Sequence, residues 1–319
     1  MPDRFSSGPF APAFAPAGPG ASAACAFDRG SRAAAPIVEV LPHPLLRPGV
    51  RFYRGLRVAF DRPRRRLELP VGFATLVLGF DQRIRVGPVA ADAASSRAGT
   101  FTSLFAGIRT KAVIGEHRGF VHGIEVVMHP WAAYAMFGVS MHELAENLVD
   151  PSEFADARIR RLTERLAELP DWPARFALLD ATLLRWQASG PGPAPRVLRA
   201  WELLSVSAGR LSIGGLAAEL GWSERQLERR FREQLGLRPK AVARVLRLQD
   251  ALRMVMAGRP LAEVATRTGF YDQSHLNREV RAATGLTPGG FLAHAPHASA
   301  RPTRLDGTVT TVLLPPPRP

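Results

Sequence analysis

Arg225, Arg229 and Arg232 recur at spacings of four and three within SERQLERRFREQLGLRP, Ser223 to Pro239. At about 100° per residue they fall within about 60° of one helix face, while Leu227, Phe231 and Leu235 share another. Arginines on the free side of a half-apolar helix can donate paired hydrogen bonds to guanine O6 and N7, or to phosphate oxygens. Glu228 stands beside that row. It can accept from cytosine N4, or orient Arg225 or Arg232 at helical spacing. A second set carries Gln273 at the tip of its helix, followed by Ser274, Asn277, Arg278 and Arg281. Asn and Gln suit adenine; Arg suits guanine or phosphate. A solvated arginine face is the plainer reading of any one such row. Two copies with the same cap, turn and polar face argue against it.

Other residue groups that could do chemistry fall short. His142–Glu143 opens HELAE, but Glu146 stands where the second histidine of a zinc-protease HExxH would be. His117, His122 and His129 could gather in a β-barrel around a metal, yet they lack a supporting carboxylate pattern. Trp131, Tyr134 and Phe137 could line a pocket, but spacings of three suit the packed face of a helix. The nucleophile elbow, the P-loop and the dinucleotide glycine pattern are absent. The single cysteine, Cys25, excludes an intrachain disulfide and a cysteine zinc site. No cofactor, metal or catalytic residue is expected, and the chain is read as no enzyme.

Charge points the same way as the arginine rows. The 319 residues carry a net charge of +14, with 42 Lys and Arg against 28 Asp and Glu. Lys111 and Lys240 are the only lysines, a skew that also suits a GC-rich genome. Such a surplus favours an acidic partner, nucleic acid before anionic membrane. No apolar run reaches transmembrane length, and Pro and Gly interrupt the N-terminus where a signal peptide would be apolar. A cytoplasmic, nucleoid-associated protein is expected.

The elements that must position these residues repeat. Shifted by 49, Leu227, Arg229 and Arg232 fall on Leu276, Arg278 and Arg281, and Gly236, Leu237 and Pro239 on Gly285, Leu286 and Pro288. Upstream the offset is 48, pairing Gly221 with Gly269. Each copy reads helix, glycine turn, helix. IGGLAAEL precedes GWS, with Ser223 as N-cap and Gln226 in the capping-box position of a helix over about 224–235. LAEVATRT precedes GFY, with Asp272 capping a helix to about 283. This is the helix-turn-helix unit, whose second helix enters the DNA major groove.

The rest divides by composition. Residues 1–35 read as a disordered Ala/Pro/Gly tail. Residues 36–188 read as short strands (RGLRVAF, GFATLVLGF, VHGIEVVMH) and then helices (WAAYAMFG, MHELAENLV, ARIRRLTERLAEL, RFALLDATLLRW). Residues 189–195, SGPGPAP, are a linker. Residues 196–295 are helical, with 16 Arg and Lys against 9 Asp and Glu, net +7. Residues 296–319 read as a second disordered tail.

LSIGGLAAELGWSERQLERRFREQLGLRPKAVARVLRLQDAL, continued by GRPLAEVATRTGFYDQSHLNREVRAATGLTPGGFLA, resembles the DNA-binding domain of AraC-type transcriptional regulators over about 100 residues. The resemblance implies two helix-turn-helix units joined by a long helix, here about Pro239 to Met256, which sets both reading helices in successive major grooves. Val280 departs from the pattern, which usually has Phe there; a smaller core residue would loosen the second unit. GIEVVMHPWAAYAMFGVSMHELAENLVD is similar to poorly characterised N-terminal domains of such regulators, which implies sensing or oligomerisation and names no ligand. AraC-like helices also occur fused to a DNA-repair methyl acceptor, a chemistry for which Cys25 in a loose tail is ill placed.

The expected fold class is therefore α+β: a small β-rich N-terminal domain with a helical extension, plus an all-α domain of two helix-turn-helix units joined by a long helix. The expected partner is double-stranded DNA. A small-molecule effector, RNA polymerase and a second copy of the chain are further candidates, with no membrane. Two rival readings are a metal-dependent β-barrel enzyme tethered to DNA and a nonspecific architectural DNA binder.

Overall fold

The computed structural model describes residues 37–89, 98–294, 303–305 and 308–314. The expected tail over residues 1–35, with Cys25, lies outside them. The α+β architecture is as expected: a β-rich N-terminal region, four helices, then a wholly helical region.

The N-terminal region is an antiparallel sheet built on two long strands, β2 (Val50–Glu68) and β7 (Val113–Met128), with β1 (Val38–Val40) paired to β2. The ladder slips between Phe60 and Arg64, so each long strand serves two sets of neighbours. β3 (Ala74–Gly79) pairs with one half of β7, and β4 (Ile84–Pro88) with the other. β5 (Gly99–Phe101) extends β4, and β6 (Leu104–Ala106) extends β3. Alternate residues of β3, such as Leu76 and Leu78, are fully buried, as the two-residue period of a strand requires.

α1 (Pro130–Phe137) follows directly and buries Ala132, Ala133, Met136 and Phe137 against this sheet. MHELAENLV, expected as one helix, is not one. α2 (Met141–Leu144) stops after a turn, and Leu148–Val149 form β8 against Phe105–Ala106 of β6. Glu146 forces the change. It sits at φ 61, its N–H donates to the Ile108 carbonyl, and its carboxylate accepts from the Thr110 amide and hydroxyl at 3.1 and 2.6 Å. Long-range partners outweigh local helix propensity here. α3 (Ser152–Glu168) and α4 (Trp172–Ser189) then close the large apolar cluster.

The expected linker runs from α4 to α5 (Pro195–Val206), and it is pinned. The Ala194 amide donates to Gln234 Oε1 at 2.9 Å, and Gln234 is itself buried. Beyond it come α6 (Ile213–Glu219), α7 (Glu224–Leu235), α8 (Pro239–Met256), α9 (Leu261–Thr268), α10 (Gln273–Thr284) and α11 (Pro288–His294). Their bounds match the repeat, and α8 spans the stretch that the resemblance implied.

The tail expected to be loose over 296–319 is not loose throughout. β9 (Thr303–Leu305) and β10 (Thr308–Leu314) return to the sheet, and Thr311–Leu314 pair with Arg65–Glu68 of β2. Val309 and Val312 are 1% exposed. They share an apolar cluster with Leu67 and Leu69 on one side and Leu252, Val264 and Val280 on the other. The second helix-turn-helix unit thus packs on the N-terminal sheet through this strand. The first unit shares its cluster with Ile108 and Ala145.

Candidate nucleic-acid interface

α7 and α10 both begin at a tight turn that only a residue with positive φ completes comfortably: Gly221 at φ 62 and Gly269 at φ 77. Ser223 and Gln226 form the full capping box of α7, with Ser223 Oγ accepting from the Gln226 amide and Gln226 Oε1 from the Ser223 amide, at 3.2 and 3.0 Å. Asp272 Oδ1 caps α10 by accepting from the His275 amide at 2.6 Å. Leu227, Phe231 and Leu235 are all 0% exposed, as are Leu276 and Val280. The buried faces therefore lie where the helical period put them. Val280, where the resemblance has Phe, is buried in the cluster of the second unit.

The opposite faces carry arginines that the fold does not pair with acids. Arg225, Arg229, Arg278 and Arg281 are exposed, and none has an ion-pair or hydrogen-bond partner among the described residues. Their neighbours are paired: Arg230 with Glu233, Arg238 with Glu228, Arg244 with Glu279, Arg253 with Asp250 and Arg267 with Glu263. Gln273 and Ser274 are exposed at the start of α10, and Asn277 is half-buried with its Oδ1 unpartnered. Unpaired guanidinium groups beside two helix N-termini make a strongly anion-seeking surface. α8, 18 residues long, extends about 27 Å, comparable with the roughly 34 Å between successive major grooves.

Two of the residues singled out in α7 behave differently. Glu228 orients neither Arg225 nor Arg232; its carboxylate takes Arg238 at 2.7 Å, beyond the end of the helix. Arg232 is half-buried and meets His142 Nε2 of α2. Tyr134 Oη of α1 donates to Glu233 Oε1 at 3.4 Å. The N-terminal helices thus lean on the last turns of α7 and leave Arg225 and Arg229 open. No local sequence signal identifies the His142–Arg232 contact, because its partners are 90 residues apart.

The histidines of the metal alternative sit apart and against arginines. His117 is buried with Nε2 2.5 Å from the Arg66 guanidinium, and burial first, then Arg66, lowers its pKa to about 2. His122 Nε2 lies 3.2 Å from Arg175, and burial, Arg175 and Arg57 lower its pKa. His129 stacks on Trp131, with its pKa lowered to about 3 by burial and then Arg51. A guanidinium at the ligating nitrogen of His117 and of His122 repels a dication. Among the described residues no group of three His, Cys, Asp or Glu could hold a metal. Trp131 and Tyr134 are partly buried and Phe137 is buried in the packed face of α1. No described helix is long and apolar enough to cross a membrane.

This arrangement defines a class. Residues 216–294 match the family model described as a helix-turn-helix domain, and this part of the chain is a helix-turn-helix domain of the AraC type. The chain is 35% identical over 119 residues to the probable bifunctional transcriptional activator/DNA repair enzyme AlkA of Mycobacterium tuberculosis, covering 37% of this chain and 24% of that one. It is 32% identical over 98 residues to the uncharacterized HTH-type transcriptional regulator YbfI of Bacillus subtilis, covering 30% of this chain and 34% of that one. The chain therefore spans only about a quarter to a third of these relatives' length. Among solved structures, ToxT of Vibrio cholerae aligns with a TM-score of 0.40 at 10% identity, covering 76% of this chain and 97% of that one.

Proposed function

We propose that this protein is a sequence-specific DNA-binding transcriptional regulator and no enzyme, reading two successive major grooves with α7 and α10. The observation that carries the reading is the pattern of pairing. Arg230, Arg238 and Arg244 beside the two faces are matched with acids, whereas Arg225, Arg229, Arg278 and Arg281 are left exposed without partners among the described residues. Arg225, Arg229, Gln273, Ser274, Asn277 and Arg278 take base edges or adjacent phosphates. Arg281, one turn further from the tip, takes phosphate. Glu228, tied to Arg238, positions that arginine, and Arg232 answers to His142 as well as to DNA. The N-terminal region modulates binding through the α1, α2 and β10 contacts, with a small-molecule effector as its input. RNA polymerase and a second copy of the chain are the other expected partners.

Selection of genomic fragments by the purified protein, followed by sequencing, tests this. Two recovered blocks about 10 bp apart are expected. Affinity indifferent to sequence and falling steeply with salt would support the architectural reading instead. On a recovered site, Arg229→Ala or Arg278→Ala is expected to cost about 1–3 kcal/mol and to relax preference at one or two base pairs. Fluorescence titration against the site and against its single-base variants checks this. Equal losses on random DNA would make these residues phosphate contacts.

A further inference from the structure

The two repeats differ in length by one residue, and the side chain of that residue is not packed into the fold. Between turn glycine and cap the first copy has Trp222 alone, whereas the second has Phe270 and Tyr271. The shift of the repeat offset from 48 to 49 is this insertion. Burial shows which of the two is extra. Phe270 is 7% exposed in the cluster of the second unit, as Trp222 packs against the cluster of the first. Tyr271 is 93% exposed. Trp222 is covered by the Arg196 guanidinium at 5.6 Å from its ring centre; no described residue covers the Tyr271 ring.

The backbone beneath this ring is fixed. The Tyr271 amide donates to His275 Nδ1 at 3.3 Å, and the next residue, Asp272, is the cap of α10. The side chain therefore projects from an anchored point beside Gln273 and Ser274, the exposed start of the reading helix. A bare tyrosine ring adds nothing to packing, and its amphipathic shape suits an interface that is apolar at one end and polar at the other. Because Tyr271 precedes the cap, it stands outside the helix, on the chain that approaches the strand backbone. Residues within the first turn have the base edges.

We propose that Tyr271 is a DNA contact, its hydroxyl donating to a phosphate oxygen at the rim of the major groove that α10 enters. This rests on the DNA-binding reading above. The phenol is neutral, so the contact fixes the register of α10 without displacing a counterion.

The test uses the full chain, with Tyr271→Phe and Tyr271→Ala titrated against the selected site and a random duplex at several salt concentrations. Tyr271→Phe should lose about fivefold and Tyr271→Ala about tenfold, equally on both duplexes. The slope of log affinity against log salt should stay at its wild-type value. Thermal midpoints should be unchanged, since the ring is exposed. Wild-type affinity in both variants overturns the contact alone. Full affinity in Tyr271→Phe, with a loss in Tyr271→Ala confined to one base pair, overturns the phosphate assignment in favour of base reading by the ring. A wild-type chain that binds neither duplex overturns the DNA-binding reading, and this contact with it.

Discussion

Replacing Phe231 with alanine should destabilise the first helix-turn-helix unit by about 3–5 kcal/mol, the range for a buried phenyl group. Phe231 is 0% exposed and shares its cluster with residues of α5, α6 and α8 as well as Ile108 from the N-terminal region. Walls drawn from so many elements cannot all move in to fill the space, so the void persists and the cost stays near the top of the range. Set against a total stability of about 5–15 kcal/mol, this loss is a large share of what keeps α7 folded. Denaturant unfolding followed by circular dichroism should show an earlier transition, and DNA affinity should fall further than for Arg229→Ala. A variant that keeps the wild-type midpoint while binding weakly would show that Phe231 acts at the interface and not in the core.

The second large effect is expected at Gln249, in the helix that joins the two units. Its side chain is 8% exposed. Nε2 donates to the carbonyls of Pro70 and Val309 at 2.5 and 3.1 Å, and Oε1 accepts from the Val309 amide at 3.2 Å. One amide therefore ties α8 to the end of β2 and to β10. Gln249→Ala leaves three buried backbone groups without that partner. At about 1–3 kcal/mol for each buried group left without a partner, the three together cost roughly 3–9 kcal/mol, less whatever water entering the gap recovers. The loss should be local before it is global. Amides of Val309 to Leu314 should exchange with solvent well before those of α7. Unchanged protection in β10 would mean that pairing with β2 and burial of Val309 and Val312 hold the strand unaided.

The helical half was legible because its signals are local. Capping residues, turn glycines and apolar residues four apart act within one or two turns, and the bounds of α7, α9 and α10 follow from them. The repeat supplied a second, independent copy of each signal. What local pattern missed has a distant partner in every case. β10 carries a local strand signal, the β-branched run TVTTVLL, but the loose composition around it, ending PPPRP, masks it; Arg65–Glu68, some 240 positions earlier, completes its hydrogen bonds. MHELAENLV has a helical pattern, but the Ile108 carbonyl, Thr110 and β6 offer its second half better partners. Glu228 has two arginines at helical spacing, and Arg238 beyond the helix end takes it.

The sequence by itself determined that there are two capped helices, one in each repeat, which of their sides are apolar, and which side chains stand on the free faces, because the helical period ties residue spacing to direction. Only the tertiary structure decided which of those side chains are free. Ion pairs and backbone hydrogen bonds form between whatever groups the fold brings within about 3 Å, and chain separation does not limit them. Arg229 stays unpaired among the described residues, while Arg232 meets His142, because α2 reaches one end of α7 and leaves the other open.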